Sequence, residues 1–364
     1  MHILHIDTER GWRGGERQAL WLAQELARRG HACTVAARPD HPLAQRARDA
    51  GLPVVKCAPG FEGDPITAYR LRRAVRRFGI DIVHAHAGHD VTLGALAVLG
   101  TRARLIVSRR VDVKPRDNAG TRWKYSRAAA ILAVSRAVAD ILAASGVDRA
   151  RVAVVPDGVD LHRDVLPAGA DLLARLGVPA GAPMAVQVAQ LVRHKDPLTF
   201  VRAVVRARRD VPDLHGVLAG DGPLRPAVDA EIAGLHAGAY VHAVGYRTDA
   251  DALIAAASVC VLSSREEGMG SVLLDAMCFG RPVAATRAGG IPEAVEEGVT
   301  GLLAPVGDAD ALGAAIGRLA VDGPLARRLG EAGRERVRRF SVERMTDATL
   351  HAYESALAQP PLNS

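Results

Sequence analysis

One pattern constrains this 364-residue chain more than any other: short apolar runs of strand length alternate with amphipathic stretches of helix length, and the whole alternation occurs twice. In the first half the runs are residues 2–6, 32–36, 53–57, 81–84, 104–108, 130–134 and 152–155. In the second they are 184–189, 215–219, 240–244, 258–262, 282–285 and 301–304. Between the first two runs, about Glu16 to Arg29 reads as a helix, with Leu20, Ala23, Leu26 and Ala27 on one face and Gly30 closing it. Strands joined through helices run parallel, because a parallel pair needs a crossover. The expected fold class is therefore α/β, with two Rossmann-like, doubly wound domains facing across a cleft. The expected boundaries are 1–163 for the first domain, 164–183 for a Pro- and Gly-punctuated linker, and 184–340 for the second domain. Residues 341–364 read as a last helix and tail packing back toward the N-terminal domain.

Composition narrows the class. Hydrophobic residues make up 49% of the chain but aromatics only 4%, so the cores are built from Ala, Val and Leu. No run approaches the roughly 20 apolar residues of a membrane-spanning helix. The first residues, MHILHIDTER, do not read as a secretion signal, and a cytoplasmic location is expected. Cys33, Cys57, Cys260 and Cys278 form no CxxC pair and lie in apolar runs, which reads as packed, reduced thiols. The net charge of +7 is uneven. Residues 1–165 hold 27 Lys and Arg against 17 Asp and Glu, a net +10, and residues 166–364 hold 20 against 23, a net −3. The basic half suits an anionic partner. Residues 69–78 (YRLRRAVRRF) add a basic helix with Leu71, Ala74, Val75 and Phe78 on one face, which is either an ordinary solvated helix or a peripheral contact with anionic lipid at the inner face of the membrane. Interleaved aromatics and a recognition motif for nucleic acid are both missing, so nucleic acid is not an expected partner.

The chemistry concentrates in residues 263–303, SSREEGMGSVLLDAMCFGRPVAATRAGGIPEAVEEGVTGLL. A strand ending near Leu262 leads through Glu267, Gly268, Met269 and Gly270 into a helix closed by Gly280. Glycines there let backbone approach a ligand, and amides at a helix start favour phosphate. Asp275 lies further along the same helix, and after the next strand Gly289 and Gly290, with Pro292 at a helix start, offer another set of exposed amides.

This segment resembles the signature of family 4 retaining glycosyltransferases of the GT-B fold: an acid, Gly-Met-Gly, a second acid eight positions after the first, then Ala-Met, Pro-Val and Gly-Gly-x-Pro-Glu. The resemblance implies that Glu267 contacts the donor sugar and Asp275 the ribose hydroxyls, while the amides of Gly268, Met269 and Gly270 hold a diphosphate. Asp275 stands where Glu is usual, one methylene shorter. Residues 187–204 (QVAQLVRHKDPLTFVRAV) resemble the family's strand-loop-helix whose Arg and Lys clamp the diphosphate and stabilise the leaving group. Lys195 matches the Lys; Gln190 takes the Arg position, and Arg193 can supply the missing charge. AGDGPLR (219–225), with Gly220 and Gly222, and VGYR (244–247), beside the nucleobase, match further turns, and VVPDGVD (154–160) matches a hinge and reads as structural.

In the first half, GWRGGERQ (11–18) resembles the family's Gly-Gly-Glu-Arg loop and makes Gly14 and Gly15 donor-site candidates. DIVHAHAGHD (81–90) resembles its strand ending in His-x-His, with His84 buried and His86 toward the cleft as a catalytic candidate. His86, His89 and Asp90 can also be read as metal ligands, although the resemblance implies a metal-independent enzyme. Arg109 and Arg110 replace the His common in relatives at this strand end. They are candidates for holding an anionic acceptor or for structural ion pairs. The implied function is transfer of a sugar from a nucleotide diphosphate sugar to a glycan or lipid-linked acceptor, with the donor as substrate and no cofactor. Two alternatives share the fold: a catalytically silent nucleotide-sugar-binding relative and a nucleotide-sugar 2-epimerase.

Overall fold

A computed structural model describes residues 1–163 and 165–360. Residue 164, at the start of the expected linker, and residues 361–364 of the tail lie outside the described residues. The chain divides into two compact units, one of residues 1–158 with 341–364, the other of residues 159–340.

The first unit holds a seven-stranded parallel sheet, β1 (His2–Ile6), β2 (Ala32–Ala37), β3 (Val54–Lys56), β4 (Ile82–Ala85), β5 (Arg104–Arg109), β6 (Ala128–Ala133) and β7 (Val152–Val154), in the order β3-β2-β1-β4-β5-β6-β7. The second holds six parallel strands, β8 (Met184–Val188), β9 (His215–Ala219), β10 (Val241–Gly245), β11 (Val259–Leu262), β12 (Val283–Thr286) and β13 (Leu302–Ala304), in the order β10-β9-β8-β11-β12-β13. Each apolar run named above forms one strand, within two residues at either end. In a doubly wound sheet the strand order reverses at one point, and the loops there diverge to leave a crevice for ligands. Here the reversal lies between β1 and β4 in the first unit and between β8 and β11 in the second. The loops carrying Gly14, His86, Lys195 and Glu267 follow these four strands.

The helix expected over Glu16–Arg29 spans Gly14–Arg28, with Gly30 at φ 86° just beyond its end. Its inner face, with Leu20, Leu22, Ala23 and Leu26, packs on Tyr353, Ala352, Ala356 and Met345 of the helix Val342–Ala358, which belongs to the first unit. Gly158 marks the passage between units: a Cβ there would stand 2.8 Å from the Val342 backbone, and its amide and carbonyl are held by the Gln18 side chain at 2.8 and 2.7 Å. The linker stretch carries a short helix, Ala170–Arg175, and lies in the second unit.

The basic helix is longer than expected, Pro65–Phe78, started by the Asp64 carboxylate and ended by Gly79 in the left-handed conformation. Leu71 and Val75 are buried, but Phe78, expected on the same face, is 47% exposed because the helix stops at its position. Cys33, Cys57 and Cys260 are buried and Cys278 is half-buried; burial pushes the first three thiols up to about 12, so they are packing groups. No described helix is long and apolar enough to cross a membrane.

Candidate active site

In the second unit, β11 delivers the chain through buried Ser263 and Ser264 to Glu267, which is 9% exposed. Gly270, at φ 79°, caps the helix Ser271–Cys278; a Cβ there would lie 3.1 Å from Leu262 and 3.2 Å from Leu273, so the turn needs glycine. The amides of Gly268, Met269 and Gly270 donate no hydrogen bond among the described residues. Buried amides without partners are rare, and three in succession at a helix start have the chemistry to receive an anion. The Met269 side chain is 2% exposed and packs inward, so only its amide can serve a ligand.

The neighbouring loop, after β8, brings Lys195 to this turn. Its ammonium pairs with the Glu267 carboxylate, which also accepts from the Ser264 hydroxyl at 2.9 Å. Lys195 is held there by residues that motif reading passed over. Gln187, fully buried in β8, accepts from the Ser263 amide and hydroxyl at 3.0 Å each, and the Ser263 hydroxyl reaches the Asp196 carbonyl at 2.8 Å. Asp196, left-handed at φ 45°, caps the helix Pro197–Ala207 and pairs with Arg265 at 2.7 Å. A Gln inside an otherwise apolar strand is the one sequence signal that points to this support.

Other expected donor residues are placed differently. Gly220 and Gly222 pack the turn after β9 against the β8 loop, since added Cβ atoms would stand 1.9 Å from the Ala189 carbonyl and 2.6 Å from that of Leu191. The Leu191 amide donates to the Asp221 carbonyl at 3.0 Å, closing the same contact. Their role is close backbone approach. The Gly290 amide, expected to be exposed, donates to the Glu267 carbonyl at 2.9 Å, so it orients the Glu267 turn from behind. Arg193 is exposed with no ion pair among the described residues, and Gln190 is half-buried on the same loop. Asp275 is buried, and its carboxylate lies 2.5 Å from the Arg163 guanidinium.

In the first unit, Gly14 and Gly15 open the helix after β1, and their amides donate no hydrogen bond among the described residues. His86 is 6% exposed and does not present a free nitrogen, contrary to the expected orientation. Its Nδ1 lies 3.2 Å from Arg110 Nη1 and its Nε2 3.0 Å from His5 Nδ1. Arginine can only donate, so His86 accepts at Nδ1 and donates from Nε2 to His5. The His5 Nε2 that must then carry a proton is buried and has no partner among the described residues. The register places His5 opposite His84, whose Nδ1 and Nε2 meet the Tyr353 hydroxyl at 2.6 Å and the Ser108 hydroxyl at 2.8 Å. Desolvation, with Arg110 nearby, lowers all three imidazoles, His5 to about 3 and His84 and His86 well below 6.5. They are neutral hydrogen-bonding groups.

These three histidines, rather than His86, His89 and Asp90, form the described cluster with ligand-like spacing. Five of its six nitrogens already serve hydrogen bonds, and Arg110 adds a positive charge beside it, both unfavourable to a divalent ion. Asp90 instead takes the Thr8 hydroxyl at 2.5 Å, and His89 meets that hydroxyl at 2.9 Å. Arg110 pairs with Asp157 at 3.0 Å, and Arg109 binds the Val113 carbonyl and the Tyr125 hydroxyl. The structural alternative for these arginines thus accounts for their contacts.

The comparisons with known proteins identify the family and the fold. Residues 171–336 match the family model described as glycosyl transferases group 1, and residues 12–163 match glycosyltransferase family 4. A lipopolysaccharide core biosynthesis glycosyltransferase of Rhizobium meliloti is 34% identical over 50% of this chain and 53% of its own length. An alpha-maltose-1-phosphate synthase of Mycobacterium tuberculosis is 31% identical over 76% of this chain and 79% of its own length. The chain thus spans about half the length of the first relative and four-fifths of the second. Among solved structures, a glycosyltransferase from Rickettsia africae superposes with a TM-score of 0.86 at 21% identity, covering 99% of both chains. The Anabaena protein Alr3699/HepE in complex with UDP-glucose also gives 0.86, at 21% identity, over 98% of this chain and 100% of that one. The chain belongs to the family 4 glycosyltransferases of the GT-B fold.

Proposed function

We propose that this chain transfers a sugar, with retention of anomeric configuration, from a nucleotide diphosphate sugar to an acceptor hydroxyl in cell-surface glycan or glycolipid assembly. The observation that carries the reading is the Lys195–Glu267 pair beside three unpartnered amides at Gly268, Met269 and Gly270. The diphosphate docks on those amides, with Lys195 against the leaving group, where its charge stabilises the negative charge that develops. Glu267 orients the donor sugar's hydroxyls, and Asp275 serves the ribose end. The acceptor attacks from the face the diphosphate leaves, and its proton passes to the departing phosphate oxygen. The donor is a substrate, and the reaction draws on no separate cofactor. The name of the Rhizobium relative supports the cell-surface role.

A lipid-linked acceptor fits one surface of the first unit. Ile66 and Tyr69, one turn apart on the helix Pro65–Phe78, are exposed large hydrophobic side chains, and Phe61 is exposed shortly before that helix begins. Arg70 and Arg73, exposed on the same helix as Ile66 and Tyr69, make no ion pair among the described residues. Apolar contact with basic side chains around it suits peripheral attachment to an anionic bilayer. Flotation with anionic but not zwitterionic vesicles, lost on Tyr69→Ser with Arg73→Glu, tests this.

A thermal-shift panel of UDP, GDP, ADP and their sugars identifies the donor, since a ligand bound by the native state raises the melting temperature. Glu267→Ala then keeps the fold and donor-induced shift in part but loses transfer. Wild-type turnover in that variant overturns the role given to Glu267.

A further inference from the structure

One residue beside the candidate site sits in a conformation its side chain does not favour. Among the described residues only Asp196 and His236, glycines apart, have a positive φ. Asp196 lies at 45°, between Lys195 and the helix Pro197–Ala207. The left-handed region crowds the Cβ of an L-residue, so glycine would hold this turn at lower cost. What the carboxylate does there explains the aspartate.

It makes two kinds of contact. Its oxygens accept from the Thr199 amide at 3.4 Å and the Thr199 hydroxyl at 2.8 Å, which starts the helix. Glycine is nearly as good as aspartate at a helix start, so capping does not account for the strain. The second contact is the ion pair with Arg265 Nε at 2.7 Å. The Arg265 side chain is 52% exposed, and a pair with so exposed a partner adds little to stability. Its consequence is geometric. Arg265 lies two residues before Glu267 in the loop after β11, and a Cβ on Gly307, after β13, would stand 3.6 Å from its guanidinium.

The backbone on either side of Lys195 meets the same loop. The His194 carbonyl accepts from the Arg265 amide at 2.8 Å and the Glu266 amide at 3.3 Å. The Ser263 hydroxyl lies 3.2 Å from the Lys195 carbonyl and 2.8 Å from that of Asp196. Two ion pairs then join the loops: Lys195 with Glu267, and Asp196 with Arg265. A diphosphate that draws Lys195 off Glu267 breaks the first and leaves the second.

We propose that Asp196 and Arg265 are positioning residues. Their ion pair holds the turn that carries Lys195 against the loop that carries Glu267, so the ammonium stays set once it has left the Glu267 carboxylate for a bound diphosphate. A lysine placed in advance has less freedom to lose on binding. This rests on the reading of the chain as a nucleotide-sugar enzyme, and neither positioning residue touches the donor.

Calorimetric titration with UDP, GDP and ADP tests it on the wild type, Asp196→Gly, Lys195→Ala and the double variant, with melting points taken alongside. Glycine adopts a φ of 45° freely, so Asp196→Gly is expected to melt near the wild type. It should bind the preferred diphosphate about fivefold more weakly. If the pair acts through Lys195, the glycine costs nothing further once Lys195 is alanine. Where Lys195→Ala binds too weakly to titrate, the rise in melting point at millimolar diphosphate gives the same comparison. Wild-type affinity in Asp196→Gly, or its full loss added to that of Lys195→Ala, overturns the proposal. Arg265→Gln should repeat the pattern, and it decides if the glycine variant does not fold. A loss in Arg265→Gln that adds to that of Lys195→Ala would mean that the guanidinium itself meets the ligand, and overturns the positioning role. If the wild type binds none of the three diphosphates, the proposed function falls as well; if it binds one and the variants match it, only the role of Asp196 and Arg265 falls.

Discussion

Asp7 offers a quantitative test of the electrostatics at the first unit's strand ends. The residue follows β1, is 3% exposed, and its carboxylate accepts only the Glu9 amide at 3.1 Å among the described hydrogen bonds. Burial raises its acid well above 3.8, and the nearby charges of Asp90 and Glu16 add to the rise. The folded state thus holds a proton that the unfolded chain releases. An acid with a raised folded-state pKa contributes stability that is complete below its unfolded pKa and is lost as pH rises toward the folded value. An asparagine at this position would keep the shape and the acceptor for Glu9 but carry no proton to lose. Asp7→Asn is therefore expected to match the wild type near pH 4 and to gain on it above that. The gain is about 1.4 kcal/mol per pH unit until the folded-state pKa is reached. For a unit of this size each kcal/mol moves the melting point by about 2–4 °C. Thermal unfolding of both proteins from pH 4 to 8, followed by a probe in the first unit, gives the difference directly. Equal melting points throughout, or a difference that grows as pH falls, would refute the reasoning.

The buried histidines should act with the opposite sign. His5 stays neutral in the fold, its pKa held at about 3, so its contribution is intact above 6.5 and lost as pH falls toward 3; His5→Gln should flatten that acid limb in pH-dependent unfolding. Tyr353→Phe removes the partner of His84 Nδ1 at 2.6 Å in a fully buried site and should cost about 1–3 kcal/mol in urea unfolding. Gly220→Ala places a Cβ 1.9 Å from the Ala189 carbonyl, so the turn must shift; a loss of about 3 kcal/mol or more in stability is expected from the same assay. Lys195→Ala should lower transfer by about 10²-fold while leaving the melting point near the wild type, as measured by initial rates with the preferred donor.

The sheets were legible because parallel, doubly covered strands appear as continuous apolar runs, and glycines such as Gly30 and Gly79 end the helices between them. Lys195 and Glu267 were legible as motif residues, but their pairing depends on β8 and β11 being neighbours, a fact of strand order. The same limit hid the histidine cluster. The sequence shows His84 and His86 two residues apart, hence on one face, but only the register that sets His5 against His84 reveals that the His86 nitrogens are both engaged. Gly290 misled for a related reason: a glycine amide looks available until the carbonyl facing it, here that of Glu267, is known. The Arg163–Asp275 pair carried no local signal, since its members lie 112 positions apart.

The account turns on whether the amides of Gly268, Met269 and Gly270 receive a phosphate, and backbone amide NMR reads those protons one by one. Titration with the nucleoside diphosphate that binds best should shift all three amide protons downfield and saturably, with Lys195→Ala weakening the response. A diphosphate that binds but leaves these three signals in place, while moving others, would contradict the account.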